Sequence, residues 1–181
     1  TISLGFAHYT SAAGVLNLID APGHADFLRT TVSALTGADA ILLVVSAAEG
    51  IKAQTIEHLQ IARLMGLRNV IVAVTKSDIR AIDMDSDLIS QVRQLLRQNL
   101  FPEAPIVTCS AKSDAALDDL RPTLEGLFDQ PSRHQSSGRF YLPIDRVFSL
   151  IGAVTVGTGT LLGVASRAVE PCVLPRAECA V

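Results

Sequence analysis

The sequence predicts an α/β fold with a mainly parallel sheet, followed by the start of an all-β unit. Three observations predict it. Apolar runs of strand length alternate with stretches of helical spacing between residues 40 and 128, the pattern of strand–helix–strand units. Hydrophobic residues make up 49% of the chain and aromatic residues 4%, so the apolar content is aliphatic, as in strands buried on both faces. Beyond Arg139 the helical period disappears and β-rich stretches spaced by glycines take over.

The elements follow in order. Residues 1–9 and 15–19 read as strands joined by a turn that contains Gly14, and such close succession predicts an antiparallel hairpin. The second strand ends at Asp20, and residues 26–35 are helix-like. Residues 40–45 form an apolar strand, residues 53–65 a helix with Ile56, Leu59 and Ala62 at helical spacing, and residues 70–74 a strand. Leu88, Val92, Leu95 and Leu96 make a stripe that places a helix between residues 85 and 98. Residues 105–108 are a short strand. Leu117, Leu120, Leu124, Leu127 and Phe128 give one more helical face. Pro122 is tolerable in that helix's first turn with Asp118 as the cap, because the N–H groups there have no partner in any case. Residues 131–138 are polar and read as a linker. The division is therefore an α/β domain over 1–130 and a partial β domain over 139–181.

Composition excludes several classes. The net charge is −3 and no run of Lys or Arg occurs, so nothing advertises a nucleic-acid surface by charge. DNA and membrane partners are not expected. Residues 38–45 form the longest apolar run, which Asp39 interrupts and which is too short to span a bilayer. Cys109, Cys172 and Cys179 form no CxxC pair, which points to reduced thiols in the cytosol. No signal peptide is visible, and a cytoplasmic location is expected. The chain opens on Thr1-Ile2 rather than Met, as if cut out of something longer.

In open α/β sheets the ligand sits at the carboxyl ends of the strands, so the polar residues that follow each strand carry the functional signal. Asp20-Ala21-Pro22-Gly23 follows one strand and has the form DxxG. A carboxylate there can hold Mg²⁺ through water, since Mg²⁺ keeps much of its hydration shell. Gly23 lets a backbone N–H approach a terminal phosphate, and the helix start behind it favours an anion. Thr75-Lys76-Ser77-Asp78 follows a second strand and nearly matches the guanine-reading NKxD. A carboxylate at Asp78 accepts from both N1–H and the N2 amino group of guanine, a donor pair that adenine lacks. The Lys76 stem can lie along the base plane through its aliphatic carbons. Ser110-Ala111-Lys112 follows a third strand and adds a backbone N–H for the guanine carbonyl oxygen. Each motif alone competes with an ordinary polar turn; the three together, in order and each at a strand end, point to a guanine-nucleotide site. His24 stands next to Gly23, where it is either a surface or capping histidine or a side chain that orients the attacking water, the task of a Gln in other GTPases.

Three stretches carry a family resemblance: Asp20-Ala21-Pro22-Gly23-His24-Ala25-Asp26-Phe27, Gly50-Ile51-Lys52-Ala53-Gln54-Thr55-Ile56-Glu57-His58 and Thr75-Lys76-Ser77-Asp78. They resemble the translational GTPases, the family of bacterial elongation factor Tu. Thr1-Ile2-Ser3-Leu4-Gly5-Phe6-Ala7, Thr75 in place of Asn, and Tyr141-Leu142-Pro143-Ile144-Asp145-Arg146-Val147-Phe148-Ser149 look like the selenocysteine-specific branch. The resemblance implies a P-loop-NTPase-type GTPase domain followed by the start of an all-β barrel domain. It implies GTP/GDP and Mg²⁺ as cofactors, with Thr1 and Asp20 on the metal. Gly23, Thr75, Lys76, Asp78, Ser110, Ala111 and Lys112 would bind nucleotide, and His24 would be catalytic. Aminoacyl-tRNA, selenocysteinyl-tRNA in this branch, and the ribosome are the implied partners of a complete protein.

The sequence also departs from the family. No GxxxxGK[ST] phosphate loop occurs, nor the strand that leads into it, which in this fold lies in the middle of the sheet. Its loss would leave the first hairpin and the remaining strands without the element between them. Gly152-Ala153-Val154-Thr155-Val156-Gly157-Thr158-Gly159 differs from the family's barrel stretch, with Val154 replacing a Gly and Gly157 a Val. The expected protein is thus a truncated translational GTPase whose own activity is doubtful without the phosphate loop. Other expectations are elongation factor Tu itself, the GTPase subunit of sulfate adenylyltransferase, or a degenerate binding module that no longer hydrolyses GTP.

Overall fold

A computed structural model describes residues 4–79, 86–112, 117–130, 142, 144–149 and 155–159. The chain enters through β1 (Gly5–Ser11), which turns back at once into β2 (Gly14–Asp20). The pair is antiparallel, with Gly5 opposite Asp20 and Ser11 opposite Gly14. Gly14 is required twice over. Its φ of 149° is one that side-chain-bearing residues rarely adopt, and a Cβ there would sit 2.8 Å from the Phe128 ring. Tyr9 ties the hairpin to the far end of the domain by donating to the Glu125 carboxylate at 2.8 Å. That hydrogen bond, then burial, raises the Tyr9 pKa above its ordinary value.

The expected helix after Asp20 opens with a 3-10 turn at Ala25–Phe27 and becomes α1 (Leu28–Thr36). The Phe27 N–H donates to the His24 carbonyl at 2.9 Å, the tighter i to i+3 spacing. Next come β3 (Ala40–Ser46), α2 (Ala53–Leu64), β4 (Asn69–Thr75), α3 (Asp87–Gln98) and β5 (Ile106–Thr108). The three strands are parallel in the order β3-β4-β5. Helix ends follow local chemistry. The Thr55 hydroxyl accepts the Lys52 backbone N–H at 3.2 Å at the start of α2, and Gly66, at φ 75°, closes it. Ser86 caps α3 by accepting from the Ile89 N–H at 3.4 Å, and Leu100 takes the left-handed position after its end, at φ 67°.

Strand β4 is buried from Val70 to Val74 on both faces, as a central parallel strand should be. Val70, Val72 and Val74 pack with Leu43 and Val45 of β3, Leu59 of α2, and Ile89, Val92 and Leu96 of α3. The strip predicted for α3 is therefore the one that faces the sheet. The last helix is α4 (Leu120–Glu125), continued by a 3-10 segment, Gly126–Asp129. Its cap is Asp119 rather than Asp118. The helix begins at Leu120, one residue later than that cap requires, and the Asp118 carboxylate lies 3.1 Å from Arg121. Pro122 does fall in the first turn.

Among the described residues, β2 and β3 do not share a sheet. This matches the expectation of a hairpin and a remaining sheet with no strand between them. The edge of β3 away from β4 is unpaired there, and Val44 is 57% exposed. Beyond the α/β part, β6 (Ile144–Ser149) and β7 (Thr155–Gly159) form an antiparallel pair, in keeping with the expected all-β start. The linker at 131–138 and the boundary near Arg139 lie outside the described residues, as do Thr1, Cys172 and Cys179. Cys109 is a free thiol, and burial raises its pKa. Among the described residues no helix is long and apolar enough to cross a membrane.

Candidate functional site

Parallel pairing of β4 with β5 sets Val74 beside Thr108, so the loops that follow both strands emerge side by side at one sheet edge. The Cys109 N–H donates to the Val74 carbonyl at 2.9 Å, and the Ser77 N–H to the Cys109 carbonyl at 3.3 Å. These bonds carry the register past the strand ends. Lys76 takes a left-handed backbone, φ 58°, which turns the chain sharply between the strand and Asp78. The Ile79 N–H closes that turn on the Lys76 carbonyl at 3.0 Å. The Asp78 carboxylate then meets residues from the β5 loop. The Ser110 hydroxyl donates to Oδ1 at 2.6 Å, and the Lys112 ammonium lies 2.6 Å from Oδ2. Lys112, then Ser110, holds the Asp78 pKa below the ordinary carboxylate range. Ala111 lies in the turn between these two partners.

The other strand end belongs to β3. The Ala47 N–H donates to the Thr75 carbonyl at 2.8 Å, which aligns β3 with β4. Glu49 follows, 3.2 Å from the Lys76 ammonium and 4.0 Å from that of Lys52. It ties the start of α2 to the Asp78 loop. Asp20 ends β2, and the turn after it is fixed by the buried Thr31 hydroxyl, which donates to the Pro22 carbonyl at 2.9 Å. A Cβ on Gly23 would lie 3.9 Å from the Gln54 amide oxygen, so this turn faces the start of α2. His24 is exposed. Its Nδ1 is 3.2 Å from the Asp26 backbone N and 3.3 Å from Asp26 Oδ2. It serves one at a time: acceptor for the N–H when neutral, donor to the carboxylate when protonated.

A cleft of about 320 Å³ is lined by Gly23, Gln54 and His58 together with Ser46, Thr75 and Lys76. It thus brings together Gly23, Thr75 and Lys76 of the predicted residues. Asp78, Ser110 and Lys112 form a second cluster beyond Lys76. A larger cleft, about 460 Å³, lies where β4 starts, around Ile71, Phe101 and Leu127. It is at the wrong end of the strands for a ligand site of this fold. Asp20 is an exposed carboxylate, and among the described residues no group of three or more His, Cys, Asp or Glu side chains is placed to hold a metal ion. That donor set fits a hydrated Mg²⁺ met through water and not a closed protein cage. Thr1, the other expected metal residue, lies outside the described residues.

Sequence reasoning gave no role to Glu49, Gln54 or His58. The signal was available: Glu49 follows β3, a strand end like the other three. His58 is half-buried beside the cleft, and desolvation lowers its pKa from the ordinary 6.5.

A parallel sheet whose strand ends carry these loops defines a GTPase-type α/β domain. Residues 1–132 match the elongation factor Tu GTP-binding domain, and the chain belongs to that family. It is 40% identical over 168 residues to the selenocysteine-specific elongation factor of Desulfomicrobium baculatum, covering 92% of this chain and 26% of that protein. It is 41% identical over 165 residues to that of Escherichia coli K12, covering 90% and 26%. Among solved structures it is similar to elongation factor SelB from Methanococcus maripaludis in complex with the GTP analogue GppNHp. There the TM-score is 0.75 and the identity 32%, over 90% of this chain and 36% of that one. A bacterial selenocysteine-specific factor, EF-Sec, gives a TM-score of 0.75 at 27% identity, over 90% and 28%. The chain thus spans about a quarter of the length of these two curated relatives.

Proposed function

We propose that this chain supplies the guanine-reading and switch portions of a selenocysteine-specific elongation factor. The whole factor would carry selenocysteinyl-tRNA to the ribosome in the cytoplasm and hydrolyse GTP there. In this reading residues 1–130 belong to the GTPase domain and residues 139–181 open the β-barrel that follows. The observation that carries it is the meeting of two strand-end loops on one carboxylate, Asp78 with Ser110 at 2.6 Å. A similar fold in a protein crystallised with a GTP analogue supports it.

The residues divide the work. Asp78 accepts from guanine N1–H and N2–H, one on each oxygen, and Ser110 holds the carboxylate in place. The Ala111 N–H meets the guanine carbonyl. Lys76 lays its stem along the base while Glu49 anchors its ammonium. Thr75 stands where the general motif has Asn and fixes the loop's start through its carbonyl bond to Ala47. The Gly23 N–H approaches the γ-phosphate, and His24 orients the attacking water beside it. Asp20, through water, and Thr1 would hold Mg²⁺, which supplies neutralisation of phosphate charge when bound.

The test is a change of base selectivity. In this chain joined to the phosphate-binding segment of a curated relative, Asp78→Asn should weaken GTP binding and improve binding of xanthosine triphosphate, since xanthine offers an oxygen where guanine offers an amino group. Unchanged GTP affinity on nucleotide titration would sink the assignment.

A further inference from the structure

Both oxygens of the Asp78 carboxylate already have partners. Oδ1 accepts from Ser110, and Oδ2 lies 2.6 Å from the Lys112 ammonium. An ionised carboxylate accepts only, with about four lone-pair sites on its two oxygens. Ser110 can therefore stay while a base with two adjacent N–H donors bonds one to each oxygen, and at Oδ2 that base meets the Lys112 ammonium. The two partners differ in how they are held. Ser110 is buried at 4% exposure, and the Lys112 backbone N–H donates to its hydroxyl at 3.3 Å. The Lys112 side chain is 75% exposed while that of Asp78 is 24% exposed. Lys112 is therefore anchored at the backbone and can swing its ammonium into solvent. The other lysine of the site, Lys76, sits 3.2 Å from Glu49.

We propose that Lys112 is a resident competitor for Asp78: its ammonium occupies the base-reading carboxylate until a guanine displaces it. Lys112 is then a positioning residue that sets the cost of base entry. The proposal rests on the reading of Asp78 as the guanine acceptor. Guanosine is a clean probe because it is neutral and carries no phosphate. Its own contacts gain nothing from salt, whereas an exposed ion pair is screened by it. Salt should therefore help guanosine in the native chain and do nothing once the ion pair is gone.

The experiment is guanosine titration of the 181-residue chain by saturation-transfer NMR at about 20 mM and about 500 mM NaCl. The native chain should bind up to about fivefold tighter at high salt, the scale of an exposed ion pair. Lys112→Met should bind up to about fivefold tighter than native at low salt and show no salt response. Lys112→Arg should restore both native behaviours. Guanosine binding that is salt-independent in the native chain, or weaker in Lys112→Met, would overturn the proposal. Asp78→Asn separates the two levels. If it binds guanosine as the native chain does, the reading of Asp78 fails and the proposal with it. If it binds more weakly while Lys112→Met is unchanged from native, only the competitor role fails.

Discussion

The two halves of the α/β part differ in what holds them. In the β3-β4-β5 half, Val72, Val74 and Leu59 are at 0% exposure and helices α2 and α3 close one face. In the β1-β2 half no strand residue is buried, and Phe6 and Val15 are 52% and 53% exposed. The same division runs through the site. The proposed base acceptor Asp78, with Ser110 and Lys112 on its carboxylate, grows from the packed half. Asp20, Gly23 and His24 grow from the open one. In the proposed reading, the difference teaches that base recognition is built onto a packed core, whereas the phosphate-facing end is held by a few tethers, Tyr9 to Glu125 and Thr31 to Pro22.

His24 provides the largest expected effect and tests the open half. In the chain joined to a relative's phosphate-binding segment, His24→Ala should lower ribosome-stimulated hydrolysis by about 10²- to 10⁴-fold, the contribution of a positioned catalytic group, with GTP affinity nearly intact. A loss of affinity with turnover preserved would make His24 structural and blur the division. Next in size is the core. Leu59→Ala should cost about 2–5 kcal/mol in denaturant unfolding, because it empties a fully buried position. Phe6→Ala on the hairpin should cost well under half of that. Equal costs would break the comparison outright.

The packed half was the more legible in the sequence. Apolar runs for β3, β4 and β5 are continuous, in β4 because both faces are buried, and that continuity marks where each strand ends. Asp78, Ser110 and Lys112 could therefore be assigned to strand-end loops from the sequence, and the β4–β5 pairing shows those loops to be neighbours. The absence of a pairing between β2 and β3 was also legible, from the missing phosphate-loop strand. Other features depend on contacts that no local pattern encodes. Asp118 was expected to cap α4, but the helix starts one residue later and puts Asp119 at the cap. Glu49 follows a strand end, but only the fold shows that it meets Lys76. Gly14 reads as a turn residue, whereas the structure adds a steric reason, the Phe128 ring.

The smallest expected effect is a pH dependence on the wall between the halves. Burial lowers the His58 pKa from 6.5, so the unfolded chain binds the proton first as pH falls. Stability from this group is complete above pH 6.5 and declines as pH drops from there through the folded-state value. His58→Gln should flatten that slope in urea titrations at several pH values. An unaltered slope would place His58 in solvent and weaken its part in the cleft wall.

The claim that the base end is complete in these residues and the phosphate end is not can be measured in one comparison. Tight triphosphate binding in such sites comes from a backbone N–H cradle and a Lys on the phosphates, and no GxxxxGK[ST] stretch occurs in these 181 residues. Calorimetric titration of the 181-residue chain with guanosine and with GTP, side by side, reads the ratio directly. The account predicts affinities within about tenfold of one another, with Asp78 providing most of both, since a ratio near ten corresponds to only about 1.4 kcal/mol from the phosphates. Sub-micromolar GTP binding beside weak guanosine binding would contradict it, and would mean that other residues of the chain build a phosphate site.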